Sequence, residues 1–308
     1  MSLAKPVRCP AAPTGPAGMQ AKGALWPALL ALFKVRIVAL LLFAAVGGLF
    51  LAADGWPGGG RVILLLVSGG LAAAGASALN EYLERGADAL MVRTRGRRPL
   101  VNGAISRPAW VPYAGALMIA APVLGLLPFN PALSFFLLFG AAVYVGIYTS
   151  WLKPRTPLNI VIGGAAGSAA VLSGSAAAGH WQQSGALLLA MLVFLWTPTH
   201  FWSLAITYRQ DYALGRFPML PVKIGPRASA GWVLLHTAGT ALAALALAAQ
   251  PSLGLGYLIP VGLATVTLLF QSLRLVLAPG QAAAYRLFVA SNLYLALVLV
   301  AICVNVLV

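Results

Sequence analysis

Charge is what this chain has least of. Asp, Glu, Lys and Arg together make up 8% of its 308 residues, and only five of them are acidic, whereas about a quarter of a soluble domain is charged. That shortage excludes a soluble domain. Cysteine is nearly absent as well: Cys9 and Cys303 have no metal-binding or redox spacing, and a disulfide between them would have to cross a bilayer. The first 24 residues hold no apolar core of the kind a cleaved signal needs.

What is present is hydrophobic, 61% of the chain. It falls into runs of about 20 residues rich in Leu, Ala, Val and Gly, which suit spanning helices and not the alternating strands of an outer-membrane barrel. The sequence predicts an all-α, polytopic membrane protein of nine spans, near 36–53, 62–82, 108–127, 131–149, 157–178, 186–206, 230–249, 253–275 and 286–306. With the N-terminus cytoplasmic, every Lys and Arg except Arg61 falls on the inner side or at its boundary, as the positive-inside rule requires. The net charge of +15 is therefore read as topology plus whatever an anionic substrate needs, with no nucleic acid involved.

Residues 1–24, basic and rich in Pro, Ala and Gly, are expected to form a disordered cytoplasmic tail. A mitochondrial transit peptide is the rival, and the prolines argue against its amphipathic helix. Residues 25–308 are expected to form a single intramembrane domain. The glycines of span five, Gly163, Gly164, Gly167 and Gly174, read first as close helix packing. His236 and Asn292 read as hydrogen-bonding residues between helices.

The chemistry is concentrated between Asn80 and Gly103. Three of the five acids, Glu81, Glu84 and Asp88, lie there with five arginines. Asn80, Glu84 and Asp88 are spaced i, i+4, i+8, which on a helix drifts about 40° and rises roughly 6 Å per step. They share one face. An acid in or beside a span is costly unless partnered. The plain reading is that Glu84 and Asp88 pair with Arg85, Arg93 or Arg95 and anchor the helix end. The chemical reading is that Asn80, Glu84 and Asp88 face Asp211, at the inner end of span six, and hold Mg²⁺, a hard ion that bridges to phosphates. Arg93, Lys153 and Arg209 would then contact a diphosphate, with Arg97 and Arg98 left to topology. An allylic diphosphate held so would ionise, and Tyr148, Trp196, Phe201, Trp202 and Tyr208 are candidates to stabilise the cation and line the prenyl and acceptor pocket.

These residues resemble the UbiA-type intramembrane prenyltransferases, and within them the branch that farnesylates heme. Asn80, Glu84 and Asp88 match the family's N-x-x-x-D-x-x-x-D with Glu in place of the first Asp. Met91-Val92-Arg93-Thr94, Arg98-Pro99-Leu100 with Gly103, Tyr148-Thr149 with Leu152-Lys153, Arg155-Thr156-Pro157, and Asp211-Tyr212 with Pro218-Met219-Leu220-Pro221 are similar to the branch's motifs. Trp196-Thr197-Pro198 followed by His200-Phe201-Trp202 is the most branch-specific. The resemblance implies a bundle around a central cavity and Mg²⁺-dependent transfer of farnesyl from farnesyl diphosphate to a vinyl group of heme B, giving heme O. The site is expected at the cytoplasmic face among membrane lipid, with a heme A synthase or oxidase-assembly partner left open, and the short tail with the Ala, Gly and Arg richness fits a bacterial inner membrane better than a mitochondrion. Glu84, Gln210 and Thr199 depart from the pattern, as does the lack of prolines after Gly167. His200 is read as an acceptor-pocket residue, with iron ligation left open. Prenyl transfer to a quinone precursor and a non-catalytic heme-handling or transport role are the alternatives.

Overall fold

A computed structural model describes residues 25–308; the tail expected over 1–24 lies outside the described residues. The order is α1 (Leu25–Leu32), α2 (Val35–Ala53), α3 (Gly59–Leu90), α4 (Val92–Arg95), α5 (Val111–Leu126), α6 (Pro131–Ala141), α7 (Asn159–Gly163), α8 (Ala165–Ala178), α9 (Ser184–Thr207), α10 (Arg209–Leu214), α11 (Leu220–Leu247), α12 (Gly254–Leu277) and α13 (Gln281–Asn305). No strand occurs among the described residues, and nine of their helical segments are long and apolar enough to cross a membrane.

The expected spans agree with these except where polar or kinked sequence hides a helix. α3 runs eight residues past the predicted end at 82, because its terminal acids are all partnered. α11 begins ten residues before the predicted start at 230, but as two helical pieces: Gly225 (φ 80°, ψ 166°) is non-helical and breaks it at a kink just before Pro226. Beyond α6 the chain continues as a π-helical segment, Ala142–Leu152, a rare conformation that is frequent at functional sites.

α2 lies along α8, α3 along α5, and α9 along α11. Small residues set these distances. A Cβ on Gly174 would stand 1.8 Å from the Ala45 carbonyl oxygen, and one on Gly48 2.3 Å from that of Val171. Packing is thus what Gly174 is for, and Gly167 likewise faces Val193. The expectation for His236 and Asn292 is corrected: Asn292 donates to Phe288 O one turn back in its own helix, and His236 Nδ1 has no partner.

One succession occurs twice. A long helix is followed at once by a short one, α3 by α4 and α9 by α10, and both joints lie at the same end of the bundle, where they meet.

Candidate active site

The predicted face of α3 exists, and it is buried: Asn80, Glu84 and Asp88 are 2%, 7% and 3% exposed. The π-helical segment runs beside it in step. Asn80 Nδ2 donates to Thr149 Oγ1 at 2.9 Å, and one turn on Lys153 Nζ donates to Glu84 Oε1 at 2.5 Å. Thr149 also donates to the Tyr144 carbonyl five residues back, the reach of the wider π turn. At the third position Asp88 Oδ2 lies 3.4 Å from Arg98 Nε, and Arg98 also pairs at 3.1 Å with Glu81, which is fully buried.

Neither reading of the arginines matches this arrangement. Arg85 folds back onto the Tyr82 ring, Arg95 is exposed, and the acids pair with Lys153 and Arg98 instead. Arg98, assigned to topology from the sequence, holds two of the site's three acids. Lys34 was missed. It sits in a left-handed turn (φ 49°) between α1 and α2, and its Nζ donates to Asn80 Oδ1 and reaches the Tyr144 hydroxyl at 3.4 Å. The one sequence signal for it was a lysine at the mouth of an apolar run.

The two lysines have opposite electrostatics. Burial pushes Lys34 down to about 7, with Arg98 and Lys153 repelling its charge while Glu84 and Glu81 only partly offset them. Burial is also the largest single influence on Lys153 and acts to lower it, but Glu84, with Tyr212 and Tyr144, together outweigh the loss and the net shift is upward. Arg98 likewise ends up raised, burial being outweighed by Asp88 and Glu81. Lys34 touches a neutral amide, so nothing at full charge answers it. Three cations, Lys34, Lys153 and Arg98, stand against three acids, Glu81, Glu84 and Asp88, and Lys34 is the cation with no acid in contact.

Asp211 is placed differently from the expectation. Its two carboxylate oxygens accept from the backbone N–H groups of Val92 (3.2 Å) and Arg93 (2.9 Å), at the start of α4. Glu84, Asp88 and Asp211 do not converge on one point: among the described residues no three His, Cys, Asp or Glu side chains are grouped to hold an ion. The cause is competition, since each carboxylate is drawn to a nearer donor. Arg93 packs its guanidinium on the rings of Tyr208 (5.3 Å) and Tyr212 (5.8 Å), and its buried Nε has no hydrogen-bond partner. Arg209 is exposed and makes no ion pair among the described residues. Beside Glu84 a cleft of about 390 Å³ opens between α3, Thr149 to Pro154, and Gly215 to Phe217.

The aromatic motif on α9 does not form one wall. Consecutive helical residues turn about 100°. Trp196 and His200 face α13, Phe201 is 37% exposed on the outside, and Trp202, 2% exposed, packs edge-on to His236 of α11 at 5.3 Å. Of the aromatic residues singled out in the sequence, Tyr148, over which Lys153 lies at 5.4 Å, and Tyr208 are the two that stand beside the polar cluster.

The donors still suit one kind of ion. Carboxylate and carboxamide oxygens stand in a row, and the buried Asp88 Oδ2 accepts no hydrogen bond. An incomplete set of hard oxygens beside Lys34, which touches no acid, and the unpartnered Nε of Arg93 fits Mg²⁺ shared with phosphate better than a closed protein cage.

Comparison with known proteins decides the family. The chain matches the UbiA prenyltransferase family over residues 40–304. It belongs to that family. A protoheme IX farnesyltransferase of Metallosphaera sedula is 41% identical over 271 residues, 88% of this chain and 93% of that protein. One of Thermus thermophilus is 40% identical over 283 residues, covering 92% of this chain and 46% of that longer protein. Among solved structures, a digeranylgeranylglyceryl phosphate synthase aligns with TM-score 0.76 at 15% identity over 92% of this chain and 99% of that one. The apo UbiA homolog of Aeropyrum pernix K1 aligns with 0.64 at 22% over 88% and 96%. A homolog from Archaeoglobus fulgidus bound to DMAPP and Mg²⁺ aligns with 0.59 at 15% over 90% and 99%. At these identities the structures speak for the fold. As a family member the chain is an enzyme of the prenyl-transfer class, built into a membrane.

Proposed function

We propose that this chain transfers farnesyl from farnesyl diphosphate to a vinyl group of heme B, giving heme O, with residues 25–308 acting as one domain. The observation that carries the acceptor is the set of relatives named protoheme IX farnesyltransferase, at 41% identity across 88% of the chain. The diphosphate end is supported by the chain's own cluster. Lys34, Lys153 and Arg98, each now on a protein oxygen, would turn to phosphate oxygens, and the unpartnered Nε of Arg93 would take another. Asn80, Glu84 and Asp88 would hold Mg²⁺, with Asp211 steadying the α4 end. Bound Mg²⁺ would neutralise the diphosphate and so make it a better leaving group.

When the allylic C–O bond breaks, its electron pair leaves with the diphosphate. The four cations around α3, Lys34, Arg93, Arg98 and Lys153, would hold that developing charge beside acids that are at most 7% exposed, where charge stabilisation counts for more than in water. Tyr148, next to Lys153, would help stabilise the prenyl cation; the vinyl π electrons attack it to form the new C–C bond, and the cation this leaves on the vinyl carbon beside the porphyrin takes up one water and gives up a proton, leaving a hydroxyl group. By the positive-inside rule this end faces the cytoplasm, in an inner membrane, where a heme A synthase or oxidase-assembly factor could take the product.

The test is conversion of heme B and farnesyl diphosphate to heme O in membranes carrying the protein, with Asp88→Asn as control. Heme O above the control supports the proposal. Prenylation of a quinone precursor without heme O reassigns the acceptor, and heme binding without turnover in the presence of Mg²⁺ reassigns the chain to heme handling.

A further inference from the structure

Of the three histidines, His200 alone has its tautomer set by geometry. Its Nδ1 lies 3.1 Å from Ser291 Oγ on α13, and that hydroxyl lies 2.8 Å from the Phe288 carbonyl oxygen. Two oxygens that close must share a proton, and a carbonyl can only accept. Ser291 has one hydroxyl proton, so it goes to Phe288 O, and Ser291 Oγ must accept from His200. The proton of the neutral ring is therefore on Nδ1, and Nε2 carries the lone pair.

The ring is fixed as well as polarised. It is stacked on Trp196 at 4.5 Å and tilted against Phe288 at 4.6 Å. Trp196 is itself tied to α13 through Nε1–H to Ser291 O at 2.8 Å. Nε2 has no hydrogen-bond partner among the described residues, and the residue as a whole is 9% exposed. A neutral imidazole whose Nδ1–H is held by an acceptor, with an open Nε2, is the form in which histidine binds metals; the hydrogen bond orients the ring and raises its basicity. Here the relay is Nδ1–H to Ser291 Oγ–H to a backbone carbonyl.

We infer that His200 Nε2 is the axial ligand that captures the iron of the heme acceptor, with Ser291 as the residue that positions it. The inference rests on the reading of heme as acceptor, and adds to it a residue and an atom. His200 precedes Tyr208 by eight residues on one face of α9 and its extension, about 12 Å along the axis. Tyr208 carries Arg93 at 5.3 Å, so iron ligation would seat the macrocycle deeper in the bundle than the diphosphate, with its rim towards the reacting end.

The experiment uses the full chain in nanodiscs with ferric and ferrous heme B, read by absorption and electron paramagnetic resonance, with heme O formation measured separately. Wild type is expected to show a histidine-ligated iron. His200→Ala should lose that signature while still binding heme, and added imidazole should restore it. Ser291→Ala should keep ligation with a shifted iron spectrum and a higher heme reduction potential, which loss of packing alone would not produce. Should His200→Ala fail to fold, His200→Met and Ser291→Ala decide: a thioether-type spectrum in the first or the shift in the second supports ligation, and wild-type spectra in both overturn it. Heme O formation with an iron spectrum indifferent to His200 overturns the ligation and leaves the acceptor standing. A wild type that neither binds nor prenylates heme B overturns both.

Discussion

The carboxylate of Asp211 accepts from the backbone N–H of Arg93 at 2.9 Å, so the joint after α9 caps the short helix after α3 across 118 residues of chain. With its second oxygen on Val92 N–H, one side chain satisfies two of the donors that a helix start leaves open. Losing such a cap costs about 1 kcal/mol. Asp211→Ala should therefore speed amide hydrogen exchange at Val92 and Arg93 and lower turnover, since Arg93 is no longer held on Tyr208. Asp211→Asn, which keeps one acceptor oxygen, should fall between. Unchanged exchange in the alanine variant would mean that the carboxylate serves the metal alone.

Lys34 predicts a defect in substrate binding. It is buried, bonded to a neutral amide and repelled by Arg98 and Lys153, and a diphosphate would supply the missing anion. Charge-assisted hydrogen bonds contribute about 1.5–3 kcal/mol, so Lys34→Met should raise KM for the prenyl diphosphate roughly ten- to a hundredfold. KM for the acceptor should hardly change. Equal losses for both substrates would place Lys34 in the scaffold.

Glu84 and Lys153 make a buried pair at 2.5 Å, and breaking one side of such a pair costs on the order of 3–5 kcal/mol because the other charge is stranded. Glu84→Gln and Lys153→Met should each lower the unfolding temperature in detergent, and the double variant should recover most of that loss. It should not recover activity. Additive destabilisation in the double variant would show that the two side chains do not depend on each other.

The proposed Mg²⁺ site on α3 makes a prediction of its own. Chelation of divalent ions should abolish prenyl transfer, and Mg²⁺ should restore it better than Ca²⁺, whose larger shell asks for more protein oxygens than Asn80, Glu84 and Asp88 provide. Glu84→Asp, one methylene shorter, should change the Mg²⁺ concentration for half-maximal rate more than it changes KM for heme. Full activity after exhaustive chelation would exclude the metal site.

Much of this was legible in the sequence, and the parts that were not share a cause. The spans showed because apolar runs need no partner to be recognised, and Asn80, Glu84 and Asp88 showed because the helical period puts them on one face. Lys34 and Arg98 were misjudged because a residue's partner lies wherever the fold brings it: Lys34 meets an amide 46 positions away, and Arg98 reaches back across a turn to Glu81. The T-P-x-H-F-W segment misled in the opposite way. Adjacent letters look like one site, yet His200, Phe201 and Trp202 point to α13, to the outside and to α11. The π turns of Ala142–Leu152 carry no signature in hydropathy at all.

Span five gives the sharpest packing test. A methyl group on Gly174 would sit 1.8 Å from the Ala45 carbonyl oxygen and 2.9 Å from Leu49 N, against backbone that cannot swing aside as a side chain can. α2 and α8 would have to separate, and α2 is the helix that leads out of the Lys34 turn. Overpacking commonly costs 1–3 kcal/mol and occasionally more; with backbone as the obstacle, Gly174→Ala should reach at least about 3 kcal/mol and lower the yield of folded protein in membranes. Gly179→Ala, at a loop position with open space around it but φ 90°, should cost only about 1 kcal/mol from backbone strain. Comparable expression and melting for the two variants would mean that α2 and α8 do not pack through Gly174.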